Sequence, residues 1–232
     1  MMRKSRSLPR LRIDPYFTVG ILSVLLLGTG YVWKAAQANP GYAMVDVPEA
    51  LFTRLDGLAL GYRLGAAGSG VRVVEIFDYQ CPACAAAHRA TWPMLKKHAE
   101  KGDLSYTVYD LPLPQHDAAV PAAMVAGCVA AQEPGHVWEY RHRVLGSQTV
   151  WEANDRPEDF FVETAVHLGL DEQGLKECMR THRDDRTARL RSGWRAANDA
   201  GVHSIPTWEV NGRVVRWDQL ETEVEKLLAA RR

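Results

Sequence analysis

Val71-Arg72-Val73-Val74-Glu75-Ile76-Phe77-Asp78-Tyr79-Gln80-Cys81-Pro82-Ala83-Cys84-Ala85-Ala86-Ala87-His88 joins two kinds of local structure within eighteen residues. Val71 to Phe77 is β-branched and apolar with no breaker, the pattern of a strand buried on both faces. From Pro82 the chain turns alanine-rich, and a proline is tolerated in the first helical turn, where its missing N–H has no intrahelical partner to lose. The junction holds a C-x-x-C. Unpaired N–H groups and the positive end of the helix dipole favour a thiolate at Cys81, and a lowered thiol pKa makes cysteine nucleophilic near neutral pH. Cys84 lies three residues on, about one turn, within reach to close a disulfide back onto Cys81. This spacing predicts that Cys81 attacks and Cys84 resolves the mixed disulfide.

Downstream of the active helix, predicted from Pro82 to about Lys101, Leu104 to Tyr109 reads as a strand. Strand, helix, strand at this spacing implies a right-handed crossover and parallel pairing. Leu111-Pro112-Leu113-Pro114 is a loop, and Asp117 is expected to cap a helix through Ala131. Helical patterns follow at 133–146, 157–169, 171–180 and 184–200. Thr207–Val210 and Arg213–Trp217 flank Asn211-Gly212, a hairpin signal. Asp218 is expected to cap a final helix with Leu220, Val224, Leu227 and Leu228 on one face. The glycines between Gly57 and Gly70 precede a strand and lack a closing Lys-Ser/Thr, so they mark a turn, not a phosphate loop.

Phe77 to Cys84 resembles the active-site entry of DsbA-like thiol–disulfide oxidoreductases, a branch of the thioredoxin superfamily. Gly201-Val202-His203-Ser204-Ile205-Pro206-Thr207 resembles the loop in which that superfamily sets a cis-proline against the C-x-x-C. The resemblance covers roughly residues 58–230. It implies an α/β thioredoxin fold with an inserted helical subdomain at about 117–200. It further implies that the Ile205 backbone pairs with an extended substrate next to a cis Pro206; an ordinary trans proline opening a strand is the competing reading. The superfamily often keeps an acid below the resolving cysteine, which assigns Glu75 as proton acceptor for Cys84, unless the side chain points to solvent. Some family members staple the helical insert, which suggests a Cys128–Cys178 disulfide; two buried thiols packing as apolar groups is the alternative. Ala83 departs from the strongest oxidases of this kind, which carry histidine there. Alanine offers no hydrogen bond or charge, so Cys81 is expected to be depressed less than the DsbA thiol, at about 3.5.

Charge and hydropathy organise the remainder. Hydrophobic content of 47% and charged content of 24% are ordinary for a globular chain. The formal net charge is zero, split into a +5 block over residues 1–12 and a body near −4 from residue 34 onward, which gives no footprint for nucleic acid. Tyr16 to Trp33 carries no charge over eighteen residues, just enough to span a bilayer. The expected organisation is a basic cytoplasmic segment (1–15), a transmembrane signal anchor (16–33), a juxtamembrane connector (34–57) and a thioredoxin-fold domain (58–232). A cleaved signal peptide with a site at Ala36-Gln37-Ala38 competes with the anchor; the long basic region and Lys34 favour the anchor. Either places the catalytic part outside the cytoplasm, in the periplasm at the inner membrane, where disulfides persist. Zinc is disfavoured, because the second cysteine pair is fifty residues apart without ligand histidines nearby, so no metal is expected.

The function this suggests is protein-disulfide exchange, in the oxidising direction, without a bound cofactor. Its partners would be reduced secreted or periplasmic proteins and a quinone-linked membrane protein, with the chain a monomer. A reductase or isomerase fed by a membrane electron donor, or a non-enzymatic binding module, are the alternatives. His88 is read as a surface histidine one turn past the chemistry. His116 fits either a family position or a helix-entry role, and the remaining histidines carry no assignment. Trp138, Trp151, Trp194, Trp208 and Trp217 read as core or groove lining.

Overall fold

The computed structural model describes residues 47–231; the basic segment, the 16–33 span and the Ala36–Ala38 site lie outside them. No helix among the described residues is long and apolar enough to cross a membrane.

A five-stranded mixed sheet carries the fold, in the order β1-β3-β2-β4-β5. β1 (Gly61–Leu64) is a short edge strand; β2 (Arg72–Phe77) and β3 (Ser105–Asp110) run parallel in the centre. β4 (Thr207–Val210) and β5 (Arg213–Val215) add an antiparallel hairpin to the far side of β2. Asn211 and Gly212 both hold positive φ, at 47° and 87°, the backbone that a two-residue hairpin turn requires. β3 is buried at every position rather than alternating, because helices cover both faces of the sheet centre.

α1 (Glu49–Gly57) precedes β1, and α2 (Pro82–Glu100) connects β2 to β3. Pro93 sits inside α2 without ending it, and the helix stops at Gly102, where φ is +78°. The insertion comprises α3 (Ala119–Gln132), α4 (His136–Gly146), the short α5 (Gln148–Trp151), α6 (Pro157–Val166) and α7 (Glu172–Asp199). A 3₁₀ turn (Trp217–Gln219) leads into α8 (Leu220–Ala229), which buries Leu220, Val224 and Leu228.

Several sequence expectations give way here. Asp117 is exposed and caps nothing; α3 starts after Ala118, whose N–H donates to Gln80 Oε1 at 2.8 Å. The helix entry is therefore fastened from the C-x-x-C turn rather than by its own Asx residue. Asp218 lies inside the 3₁₀ turn, occupied with Arg216, and leaves α8 without a side-chain cap. Segments 171–180 and 184–200 form one 28-residue helix, α7. Leu175, Met179, Arg186 and Leu190 keep helical phase across 181–183, a turn that is simply exposed.

α3 and α7 pack closely because Gly127 leaves room for Arg186. A Cβ at Gly127 would lie 2.0 Å from the guanidinium carbon. The Sγ atoms of Cys128 on α3 and Cys178 on α7 are joined in a disulfide across 50 residues of chain.

Candidate active site: a cysteine pair and a buried acid

β2 ends at Phe77 and the chain turns sharply about Asp78. The Asp78 carboxylate accepts from the N–H of Gln80 at 2.6 Å, the N–H of Leu113 at 2.7 Å and Nδ1 of His116 at 2.8 Å. One buried side chain thus ties the turn to the loop after β3. His116 belongs to this anchor, which is more than helix entry. Burial raises the Asp78 pKa, against these three donors.

Cys81 is the N-cap of α2. Its Sγ accepts from the Cys84 N–H at 3.4 Å, Pro82 opens the helix, and no acid sits in the first turn to offset the dipole. The Cys81 pKa falls to about 7, chiefly through a hydrogen bond from the Cys84 thiol and further through the N–H groups of Cys84 and Ala83; burial and Asp78 oppose it. Cys84 has no exposed surface, and burial drives its pKa well above that of an ordinary thiol. The two thiols are unbonded. Near neutral pH the outer sulfur is substantially thiolate and the inner one holds its proton.

The Ile205–Pro206 peptide bond is cis. Pairing of Thr207 with Ile76 sets this loop beside the end of β2, and Cys81 Sγ lies 3.9 Å from the Ile205 carbonyl oxygen. The backbone at Ile205 is thereby within contact of the outer sulfur.

Glu75 is fully buried in mid-β2 and does not face solvent. Its Oε2 accepts from Tyr106 Oη on β3 and from the Arg141 guanidinium on α4; Oε1 has no partner among the described residues. Burial raises the Glu75 pKa, and Arg141 and Tyr106 counter it. The Glu75 charge is the smallest of the causes that shift the Cys84 pKa, and it acts upward.

His88 corrects the surface assignment: it is 1% exposed. Arg141 Nη1 donates to His88 Nδ1 at 2.6 Å, and His88 Nε2 meets His142 Nδ1 at 3.1 Å. An arginine can only donate, so His88 carries its proton on Nε2. Burial and then Arg141 lower the His88 pKa, and the ring stays neutral. Arg141 also lies 4.2 Å over the Phe77 ring.

Sequence reasoning missed Arg141, Tyr106 and Asp110. Arg141 was visible as a charge on the apolar face of its helix, one turn after Val137 and three residues before Val144. Asp110 ends β3 fully buried, its oxygens unpartnered among the described residues, and burial lifts its pKa to about 7. Trp138, Trp151 and Trp208 are core residues, Trp194 lines a groove, and Trp217 is exposed, contrary to expectation.

Residues 60–230 match the family model for thioredoxin. The oxidised crystal structure of BdbD from Bacillus subtilis superposes with a TM-score of 0.62, at 21% identity, covering 74% of this chain and 95% of that one. The thiol–disulfide exchange protein α-DsbA2 of Wolbachia pipientis gives 0.61 at 20% identity, covering 77% and 92%. A Rickettsia felis protein carrying the name protein-disulfide oxidoreductase is 25% identical over 169 residues, 71% of this chain and 59% of that protein. The Na⁺/H⁺ antiporter NhaA of Herminiimonas arsenicoxydans is 28% identical over 221 residues, 93% of this chain and 33% of the antiporter. The chain thus spans a third of the one and under two thirds of the other. With the family matched across the whole described sheet and its insertion, the chain belongs to the thioredoxin family and has the DsbA-like form of its fold.

Proposed function

We propose that this chain is an extracytoplasmic protein-disulfide oxidoreductase that works as an oxidase. The observation that carries it is the asymmetry of the pair: Cys81, 7% exposed and touching the Ile205 carbonyl, has a pKa of about 7, whereas Cys84 has no exposed surface and its pKa is raised. A substrate thiolate attacks Cys81 Sγ of the oxidised pair. The Cys81–Cys84 bond breaks, Cys84 leaves as thiolate, and its high proton affinity makes it take up a proton, for which Glu75 is the nearby buried acid. The second substrate thiolate then attacks the substrate sulfur of the mixed disulfide. Cys81 departs as a thiolate, a good leaving group at its lowered pKa. Two electrons pass from the substrate dithiol to the pair.

Ile205 supports the intermediate by offering backbone groups to an extended substrate segment. No cofactor is required, because the sulfurs hold the electrons. Reduced secreted or periplasmic proteins are the proposed substrates, and a quinone-linked membrane protein the reoxidant. The uncharged span at 16–33 supports an inner-membrane anchor, and the chain acts as a monomer.

The test is the redox state of Cys81 and Cys84 in living cells, trapped with an alkylating mass tag. A mostly oxidised pair is expected. A mostly reduced pair overturns the oxidase direction and leaves a reductase or isomerase.

A further inference from the structure

Near the C-terminal end of α7, Thr187, Arg191, Trp194, Arg195 and Asn198 fall on one face at spacings of three and four. This face lies against the proline-rich loop after β3, and two adjoining clefts open between them. A cleft of about 260 Å³ is lined by Ile76, Leu111, Val202 and Ile205, the residue whose carbonyl meets Cys81 Sγ. A second, of about 470 Å³, runs on past Pro112 and Val120 to Arg191 and Arg195. Leu113, Pro114 and Trp194 line both, so the two form one trough leading from the reactive sulfur.

The charges along it are unbalanced. Arg180, Arg183 and Arg189 of the same helix each pair with a carboxylate. Arg191 and Arg195 are exposed and have no such partner among the described residues. Among the described residues Asp117 is the one carboxylate lining the trough, and the His116 ring is held by Asp78. A third cleft shares Asp117 and Pro121 with the second and carries Glu152, Asp155, Glu158 and Asp159 with Arg156, so the sign reverses beyond Asp117. A segment running along the trough from the sulfur therefore meets apolar surface first and then Arg191 and Arg195, before the acidic cleft begins.

We propose that this trough selects substrate polypeptides: extended segments with an apolar residue beside the reacting cysteine and acidic side chains a few residues beyond it, held by Arg191 and Arg195. The proposal rests on the disulfide-exchange reading and names its substrate class. Apolar contact supplies the seat and charge complementarity the choice among partners.

The test uses the oxidised full chain and reduced single-cysteine peptides of identical apolar core, flanked by Glu, Gln or Lys. Rates of mixed-disulfide formation are normalised to each peptide's rate with hydroxyethyl disulfide, which removes flank effects on the peptide thiol. The Glu peptide is expected to outpace the Lys peptide by about tenfold at low ionic strength, and the ratio to collapse toward one in molar salt. In the R191E/R195E double variant the order within the series reverses. Equal normalised rates, or a preference that survives the charge reversal, overturn the proposal. Dithiothreitol, uncharged and too small to fill the trough, separates the two readings: if it fails to reduce Cys81–Cys84, the exchange reading falls instead.

Discussion

Arg141 on α4 and Glu75 on β2 form an ion pair with both side chains out of contact with water. The helical insertion therefore does more than cover the sheet. It supplies the positive charge that sits against the only acid in β2. The same guanidinium holds His88 of the active helix, so strand, active helix and insertion meet at one side chain.

Removing one partner of such a pair leaves an uncompensated charge. Arg141→Met is expected to lower stability by about 3–5 kcal/mol, while Glu75→Gln/Arg141→Met together cost less than the sum of the two single changes. Urea unfolding of the reduced forms, read as a double-mutant cycle, measures this. Additive effects would show that the pair has no coupling.

Glu75→Gln keeps volume and a carbonyl for Tyr106 and Arg141 but cannot take a proton. Burial raises the Glu75 pKa, so its carboxylate form grows as pH rises through that value. If it accepts the Cys84 proton, attack by Cys84 on a Cys81 mixed disulfide accelerates over the same range. In the variant this rise is expected to vanish and the rate to drop on the order of 10²-fold. Quench-flow lifetimes of the mixed disulfide across pH read it out; an unchanged profile removes Glu75 from the proton path.

What could be read from the sequence follows from range. The β2–C-x-x-C–α2 unit was legible because strand, turn and helix signals lie within eighteen residues, and the Asn211-Gly212 hairpin because its turn demands positive φ at both positions. The break wrongly placed in α7 arose from an exposed turn that interrupts hydrophobic pattern without interrupting backbone hydrogen bonding. Asp117 and Asp218 looked like caps by residue type, yet Gln80 and Arg216 claim the local hydrogen bonds. The network around Glu75 was illegible for a different reason: Tyr106, His88 and Arg141 come together only through long-range packing. A lone arginine on an apolar helix face was its single local trace.

The disulfide between Cys128 and Cys178 closes a 50-residue loop that spans α3 to α7. In the loop-entropy account, removing it costs about 4 kcal/mol. Cys128→Ala/Cys178→Ala is expected to unfold at correspondingly lower urea, with the Cys81 thiol still titrating near its native value, since neither cysteine lies in the C-x-x-C turn. A stability equal to that of the parent would mean that the packing of α3 on α7 alone holds the insertion.

Cys81 gives the last test, and its sign is fixed by the direction of the shift. The folded pKa of about 7 lies below the ordinary thiol value of 9.0. Between these values the unfolded chain binds a proton that the folded, reduced protein has released, so the thiolate's contribution to stability grows with pH. It is complete above about pH 9 and is lost as pH falls through 7. The stability of the reduced protein relative to Cys81→Ala should therefore rise from pH 6 to 9. Thiolate absorbance and alkylation rate should titrate near 7, well above the value of about 3.5 known for DsbA. Ala83→His adds a donor beside the sulfur and should move the midpoint down and the potential to more oxidising values, because stabilising the thiolate stabilises the reduced form. A Cys81 midpoint near 3.5 in the parent, or no shift in Ala83→His, would show that the residue at position 83 does not set the proton affinity of the pair.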